Sequence, residues 1–229
     1  MNRSVILLSG GLDSTTCLAL AKSRQEECYT LSFNYGQRHC TELNRAQQIA
    51  QSFEVNQHEV FRLPVEIFAG SALTDANIAV PEYTGSKAIP VTYVPARNTI
   101  FLAIALGWAE SIGANRIYIG VSAVDYSGYP DCRPEYITAF QKMADLATQC
   151  GVANQGVKIE TPLIKLSKAE TIKLGLSLGV NYHLTVSCYN LDTHGNACGK
   201  CDSCSLRRKG FEECGVTDQT QYGSNATVL

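Results

Sequence analysis

A short apolar run, Val5-Ile6-Leu7-Leu8, leads into Ser9-Gly10-Gly11-Leu12-Asp13-Ser14-Thr15, and the segment from Thr16 to Arg24 continues with apolar residues at helical spacing. A buried strand, a glycine turn and a helix start therefore follow one another. Paired glycines let backbone approach a ligand, and the free N–H groups and dipole at a helix N-terminus attract an anion, phosphate above all. No Gly-Lys-Ser or Gly-Lys-Thr closes the turn, so it is not a Walker loop. It offers the hydroxyls of Ser9, Ser14 and Thr15 and one carboxylate, Asp13. The same residues would also serve an ordinary Gly-Gly turn in which Ser14 caps a helix.

Further along, Cys28 to Phe33 reads as a strand, Thr41 to Phe53 as a helix and Val55 to Leu63 as a third strand. Strand and helix alternating at this spacing predict an α/β fold, a Rossmann-like parallel sheet with helices on both faces and right-handed crossovers. Pro64 to Pro95 has four prolines and no clear period, the mark of a lid or binding insertion. Arg97 to Ile112 reads as a helix apolar on nearly every side and so buried. Arg116 to Val121 and Val157 to Glu160 read as strands, Pro134 to Cys150 and Ser167 to Leu178 as helices. The ligand crevice should open at the strand ends, on the edge that carries the glycine turn. A chain of 229 residues accommodates one such domain, expected over 1–183, and a small C-terminal zinc-binding segment and tail over 184–229.

That C-terminal expectation rests on Cys188, Cys198, Cys201 and Cys204, spaced C-x9-C-x2-C-x2-C. Four thiolates with no open position describe a structural zinc site. An iron–sulfur cluster is the rival, although the trailing C-x3-C-P of many such clusters is missing. Cys214 and His194 lie nearby as reserve ligands. Cys17, Cys28, Cys40 and Cys150 sit in helix or strand patterns and read as small core residues. Ten cysteines, no leader-like N-terminus and an apolar stretch (Ile100 to Ala109) of about half a membrane span point to a cytoplasmic protein without membrane contact. Nineteen basic and twenty-one acidic residues leave a net charge of −2, which argues against a nucleic-acid partner; Arg207-Arg208-Lys209 is the one basic cluster.

Between a strand end and a helix lies Asp125-Tyr126-Ser127-Gly128-Tyr129-Pro130-Asp131-Cys132-Arg133-Pro134. Aromatic faces stack on a planar heterocycle, a carboxylate accepts two hydrogen bonds from an amidine-like edge, and arginine pairs with a carboxylate. Tyr126, Tyr129, Asp131 and Arg133 are the groups a guanine-like acid would need, or else the residues of a plain surface turn. No base is visible beside Cys132 to make it a nucleophile.

The glycine turn resembles the pyrophosphate loop of the ATP pyrophosphatase superfamily. With FNYGQRH (Phe33 to His39), VPARN (Val94 to Asn98), VDYSGYPDCRPE (Val124 to Glu135), TPLIKLSKAE (Thr161 to Glu170) and the four clustered cysteines, the chain resembles the 7-cyano-7-deazaguanine synthase family of queuosine precursor biosynthesis. The resemblance implies an ATP-dependent carbon–nitrogen ligase acting on 7-carboxy-7-deazaguanine and ammonia. The acid is adenylated, ammonia displaces AMP to give an amide, and a second ATP activates the amide for conversion to the nitrile. ATP would be held by Leu8, Ser9, Gly10, Gly11, Leu12, Asp13, Ser14, Thr15, Thr16, Cys17 and Leu18. Asp13 would serve as a magnesium ligand or charge partner, and Asp13, Ser14, Arg97 and Lys165 would be catalytic, with the α-phosphate drawing its cations from Arg97, Lys165 and Arg133. Arg38 and His39 would line the nucleotide side unless they belong to a solvated turn, and Arg97 and Asn98 have a helix-capping role as their alternative. No glutaminase segment is visible, so free ammonium is the expected nitrogen source, and a homodimer is implied by resemblance alone. Two other readings stay open: a tRNA-modifying adenylating thiolase, and a non-catalytic zinc module that binds nucleic acid or protein.

Overall fold

Val5 and Ile6 point to opposite faces of a strand and both are fully buried, which requires helices on each side of it. The computed structural model describes residues 2–37, 41–86, 88–124 and 128–223. Strands β1 (Arg3–Leu7), β2 (Glu27–Asn34), β3 (Gln57–Arg62), β4 (Arg116–Tyr118) and β5 (Lys158–Glu160) form, among the described residues, a five-stranded sheet in the order β3-β2-β1-β4-β5. Every pairing is parallel. The helices are α1 (Leu12–Ser23), α2 (Thr41–Ser52), α3 (Arg97–Ser111), α4 (Pro134–Ala147), the single turn α5 (Gln149–Val152), α6 (Lys168–Ser177) and α7 (Asp202–Cys214).

Val5 and Leu7 pack with Leu102 and Ala105 of α3 and Phe140 of α4. On the other face Ile6 and Leu8 pack with Leu18 of α1 and Ile49 of α2. Fully burying such an aliphatic side chain contributes about 1.5–3 kcal/mol. The chain runs outward from β1 to β3, then returns through α3 to β4 on the far side of β1. The order reverses between β1 and β4, and their carboxyl ends diverge to leave a crevice there.

Local departures from the sequence expectations have physical causes. The helix expected to Cys150 stops at Thr148, whose extended backbone (φ −115°, ψ 151°) and hydroxyl, bonded to Ala144 O and accepting from Gly151 N, restart it as α5. The strand expected to Val121 ends at Tyr118, and the residues after it open into the crevice. Helix α3 is not buried all round, because the small residues Ala103 and Gly107 face outward. Helix α7 carries too few apolar residues to show a hydrophobic period; its buried stripe is Cys204, Arg207, Gly210 and Phe211. Phe211 joins Leu12, Ala19 and Ile172 in one apolar cluster, packing α7 against α1 and α6.

Candidate active site and metal centre

The glycine turn lies at the carboxyl end of β1. Gly11 is the N-cap of α1 and supplies no side chain to bond the first-turn N–H groups. Ser14 and Thr15 turn their hydroxyls back onto Gly11 O at 3.1 and 2.8 Å, and Ser14 Oγ also lies 3.1 Å from Ser9 Oγ. Among the described residues the N–H groups of Gly10, Asp13 and Ser14 have no acceptor, so they remain available to an anion. Gly10 has φ +81°, and a Cβ there would overlap the carbonyl oxygen of Glu42. The absent side chain lets the turn seat on the start of α2. From the C-terminal side, Val186 N donates to Gly10 O at 3.0 Å and Leu12 N to Ser187 Oγ at 3.3 Å.

A cavity of about 300 Å³ opens over this turn, large enough for a nucleotide-sized ligand. Ser9, Gly11, Leu12, Asp13 and Ser14 line it together with Tyr35, Arg97, Phe101 and Tyr129. Lys168 Nζ, in the first turn of α6, donates to both oxygens of Asp13 at 2.7 and 2.8 Å. Gly210 of α7 allows this approach: a Cβ there would stand 2.6 Å from Lys168 Cγ. The guanidinium of Arg97 lies about 6 Å from the rings of Tyr35, Phe101 and Tyr129 and bonds Tyr35 Oη at 3.3 Å. Among the described residues this is the one hydrogen bond its five donors make. Burial raises both Tyr35 and Tyr129 above the usual phenol range, so these hydroxyls are neutral donors.

The residues singled out in sequence are not all brought together. Leu8, Ser9, Gly11, Leu12, Asp13 and Ser14 line the cavity, whereas Gly10 and Thr15 do not, Thr16 bonds Tyr182 Oη at 2.8 Å and Cys17 and Leu18 are in the apolar core. Lys165 is exposed and does not line the cavity; Lys168, three residues on, does. Tyr129 lines it, its hydroxyl donating to Thr92 Oγ1 at 3.0 Å. Asp131 is buried and accepts from Asn98 N at 3.0 Å, its carbonyl from Asn98 Nδ2 at 3.3 Å. It thereby caps α3, whose N-cap residue, Ala96, is left-handed and offers no side-chain bond. Arg133 is exposed and bonds its own turn at Pro130 O. Burial pushes the Cys132 thiol up to about 12, leaving it protonated and a poor nucleophile. Tyr126, Arg38, His39, Asp125 and Cys40 lie outside the described residues. Sequence reasoning missed Glu42, Lys168, Ser187 and Tyr189 as lining residues. The one available signal was Lys168, the second lysine of TPLIKLSKAE, just after Ser167 in a capping box with Glu170.

Beyond the cavity, the sulfurs of Cys188, Cys198, Cys201 and Cys204 lie within 4.8 Å of one another, with Cys198 and Cys204 at 3.9 Å. Four sulfurs bound tetrahedrally at ~2.3 Å would stand ~3.8 Å apart. The cage therefore fits one ion, whereas a multi-iron cluster would hold its thiolates further apart. Backbone N–H groups of Asn190 and Cys198 point at Cys188 Sγ (3.3 and 3.2 Å) and that of Cys201 at Cys198 Sγ (3.4 Å), donors suited to thiolates. The cage is tied to the glycine turn through Ser187, the neighbour of Cys188, and through Arg207. Arg207 is 1% exposed. It donates to Asp218 at 3.0–3.2 Å, to Thr185 Oγ1 at 2.8 Å and to Ser187 Oγ at 3.4 Å.

The sequence profile of the family described as Queuosine biosynthesis protein QueC matches residues 3–215. The chain is 63% identical over 222 residues to the 7-cyano-7-deazaguanine synthase of Coxiella burnetii (strain RSA 331 / Henzerling II), covering 97% of this chain and 98% of that one. This chain belongs to the 7-cyano-7-deazaguanine synthase family. Another synthase of the family, from Saccharophagus degradans, is 61% identical with 97% and 98% of the two chains covered. Among solved structures the fold is similar to that of a 4-thiouridine synthetase in an RNA complex with bound ATP. That match has TM-score 0.51 and 16% identity and covers 93% of this chain and 50% of that one. The NMN synthetase of Francisella tularensis matches with TM-score 0.50 and 16% identity over 98% and 80%. Among the described residues no helix is long and apolar enough to cross a membrane.

Proposed function

We propose that the protein converts 7-carboxy-7-deazaguanine and ammonia to 7-cyano-7-deazaguanine, spending two ATP and releasing AMP and pyrophosphate. The observation that carries this reading is the shared cavity, lined both by a helix N-terminus without a side-chain cap, suited to phosphate, and by an arginine among aromatic rings. A carboxylate is a poor acyl donor until its oxygen becomes a leaving group. In the proposed sequence the acid attacks the α-phosphorus of ATP, and the N–H groups of Gly10, Asp13 and Ser14 hold the departing pyrophosphate. Lys168 and Arg97 offset charge that builds on the phosphates, and Asp13 both positions Lys168 and offers a carboxylate to magnesium. Tyr35, Phe101 and Tyr129 face the heterocycle and keep water from the acyl adenylate. Ammonia displaces AMP to give the amide; the amide oxygen is adenylated in turn, and loss of AMP leaves the nitrile.

The four cysteines would hold zinc as a structural tetrathiolate, bracing residues 184–223 against the phosphate turn through Ser187 and Arg207. Homodimer assembly and the absence of a nucleic-acid partner complete the reading; light scattering and a gel shift with bulk tRNA test these two points. The decisive experiment incubates the purified protein with magnesium, ATP, the acid and ¹⁵N-ammonium and follows AMP and product mass. A labelled nitrile with two AMP per turnover supports the reading, and no AMP under any nitrogen supply overturns it. Colourless protein carrying one zinc per chain supports the metal assignment, and brown protein overturns it.

A further inference from the structure

Building on that function, we propose that the Glu42 carboxylate receives ammonium in the cavity and takes the protons that nitrogen must shed in both halves of the reaction. Glu42 is in the first turn of α2, and its carbonyl oxygen packs where a side chain on Gly10 would stand. That packing fixes it beside the phosphate turn. Among the described residues the carboxylates lining the cavity are Asp13 and Glu42. Asp13 is held by Lys168 at 2.7 Å, whereas Glu42 has no hydrogen-bond or ion-pair partner among the described residues. Among the described residues the cavity thus contains one carboxylate with no hydrogen-bonded or ion-paired cation, Arg97 reaching it through its charge alone, and the one cationic substrate of the proposed reaction is ammonium.

The chemistry requires such a group. Ammonium has no lone pair, so one N–H proton passes to the carboxylate. The freed pair forms the C–N bond as the acyl C–O bond breaks, and AMP leaves with those electrons. A second proton then leaves the new C–NH₃⁺ to give the amide, after Glu42 has released the first to water at the open side of the cavity. In the second half, the O-adenylated amide gives up its two remaining N–H protons as the nitrogen electrons become the C≡N bond and AMP departs. Four protons leave one nitrogen, and a base on that side serves each transfer. Among the described residues Arg97 and Tyr35 act on Glu42 electrostatically, and Tyr129, Cys132, Cys188, Tyr189, Arg207 and the Asp13–Lys168 pair line the same cavity; Arg45 on the same helix bonds Gln48 at 3.4 Å. Burial pushes Glu42 up to about 7 while Arg97 draws it down, a range suited to a proton acceptor at neutral pH.

The test compares Glu42→Gln with the metal-loaded, full-length protein. Adenylation of the acid needs no nitrogen base, so ATP–pyrophosphate exchange should stay within about twofold of the parent. Hydroxylamine, neutral near pH 7, should trap the acyl adenylate as hydroxamate at a similar rate. With ammonium at pH 7 the kcat/KM should fall by about 100-fold and recover as rising pH supplies free ammonia. Glu42→Asp should restore part of the loss. An unchanged ammonium step, a parallel loss of exchange and trapping, or no recovery with pH would each overturn the assignment. Parent protein without exchange would instead overturn the proposed function, so the two failures are separable.

Discussion

Lys165 and Lys168 belong to one motif, and the geometry separates them. Replacing Lys168 by Met keeps the stem that packs against Gly210 and removes the ammonium that holds Asp13 at 2.7 and 2.8 Å. The side chains of the pair are 14% and 33% exposed, so solvent screens their mutual attraction and folding stability should fall by only ~1 kcal/mol. Catalysis should suffer more. Losing one preorganised charged donor at developing transition-state charge costs ~2.7–4 kcal/mol, or roughly 10²–10³ in rate. Lys165→Met, at an exposed position outside the cavity, should stay within ~0.5 kcal/mol of the parent in both respects. Acid-dependent ATP–pyrophosphate exchange reads the catalytic effect and thermal melting reads the structural one. If Lys165→Met loses exchange while Lys168→Met keeps it, the assignment of the cation to α6 is wrong.

Asp218→Ala leaves the Arg207 guanidinium buried without its carboxylate, which should cost ~3–5 kcal/mol and lower the melting temperature by about 10 °C. Arg207→Met combined with Asp218→Leu should recover most of that loss in denaturant titrations. Against the upward push of burial, Arg207 holds Asp218 below the usual carboxylate range. The pair's contribution is therefore full above the unfolded carboxylate pKa and lost as pH falls through the lower folded value, which acid titration of parent and variant can follow. Cys204→Ser, or removal of metal by chelator, should loosen the path from the cage through Ser187 to Leu12 N and reduce exchange along with protection of residues 186–214 in hydrogen exchange; a metal-free variant of full stability and activity would refute the coupling. Because burial raises Glu42, its ionisation opposes folding: stability is full below the unfolded pKa and declines as pH rises through about 7. Glu42→Gln should therefore melt higher than the parent at pH 8 and alike at pH 4, by calorimetry.

Much of this architecture was legible from local pattern. The strand Val5 to Leu8 is buried on both faces, so an unbroken apolar run announced it, and the glycine turn followed from the residues that such a turn needs. The cysteine spacing marked a cage because three ligands fall within seven residues of chain. Helix α7 was illegible because its inward face is written with Cys204, Arg207 and Gly210, and arginine reads as surface until Asp218 is folded against it. Asp131 looked like a ligand group in sequence, yet it caps α3 through Asn98, 33 residues earlier. Nothing in the local pattern sets Glu42 apart from any other acid in the first turn of a helix.

The sequence by itself determined the order of strands and helices as far as α6, the glycine turn between β1 and α1, the cysteine spacing and the family, since each is carried by residues near one another along the chain. Tertiary structure alone decided which lysine meets Asp13, which tyrosine and which carboxylate face the cavity, and how the metal cage is joined to the phosphate turn. Those choices depend on how α6, α7 and α2 pack around the reversal point of the sheet. Packing at that distance leaves no periodic trace in the residues that take part in it.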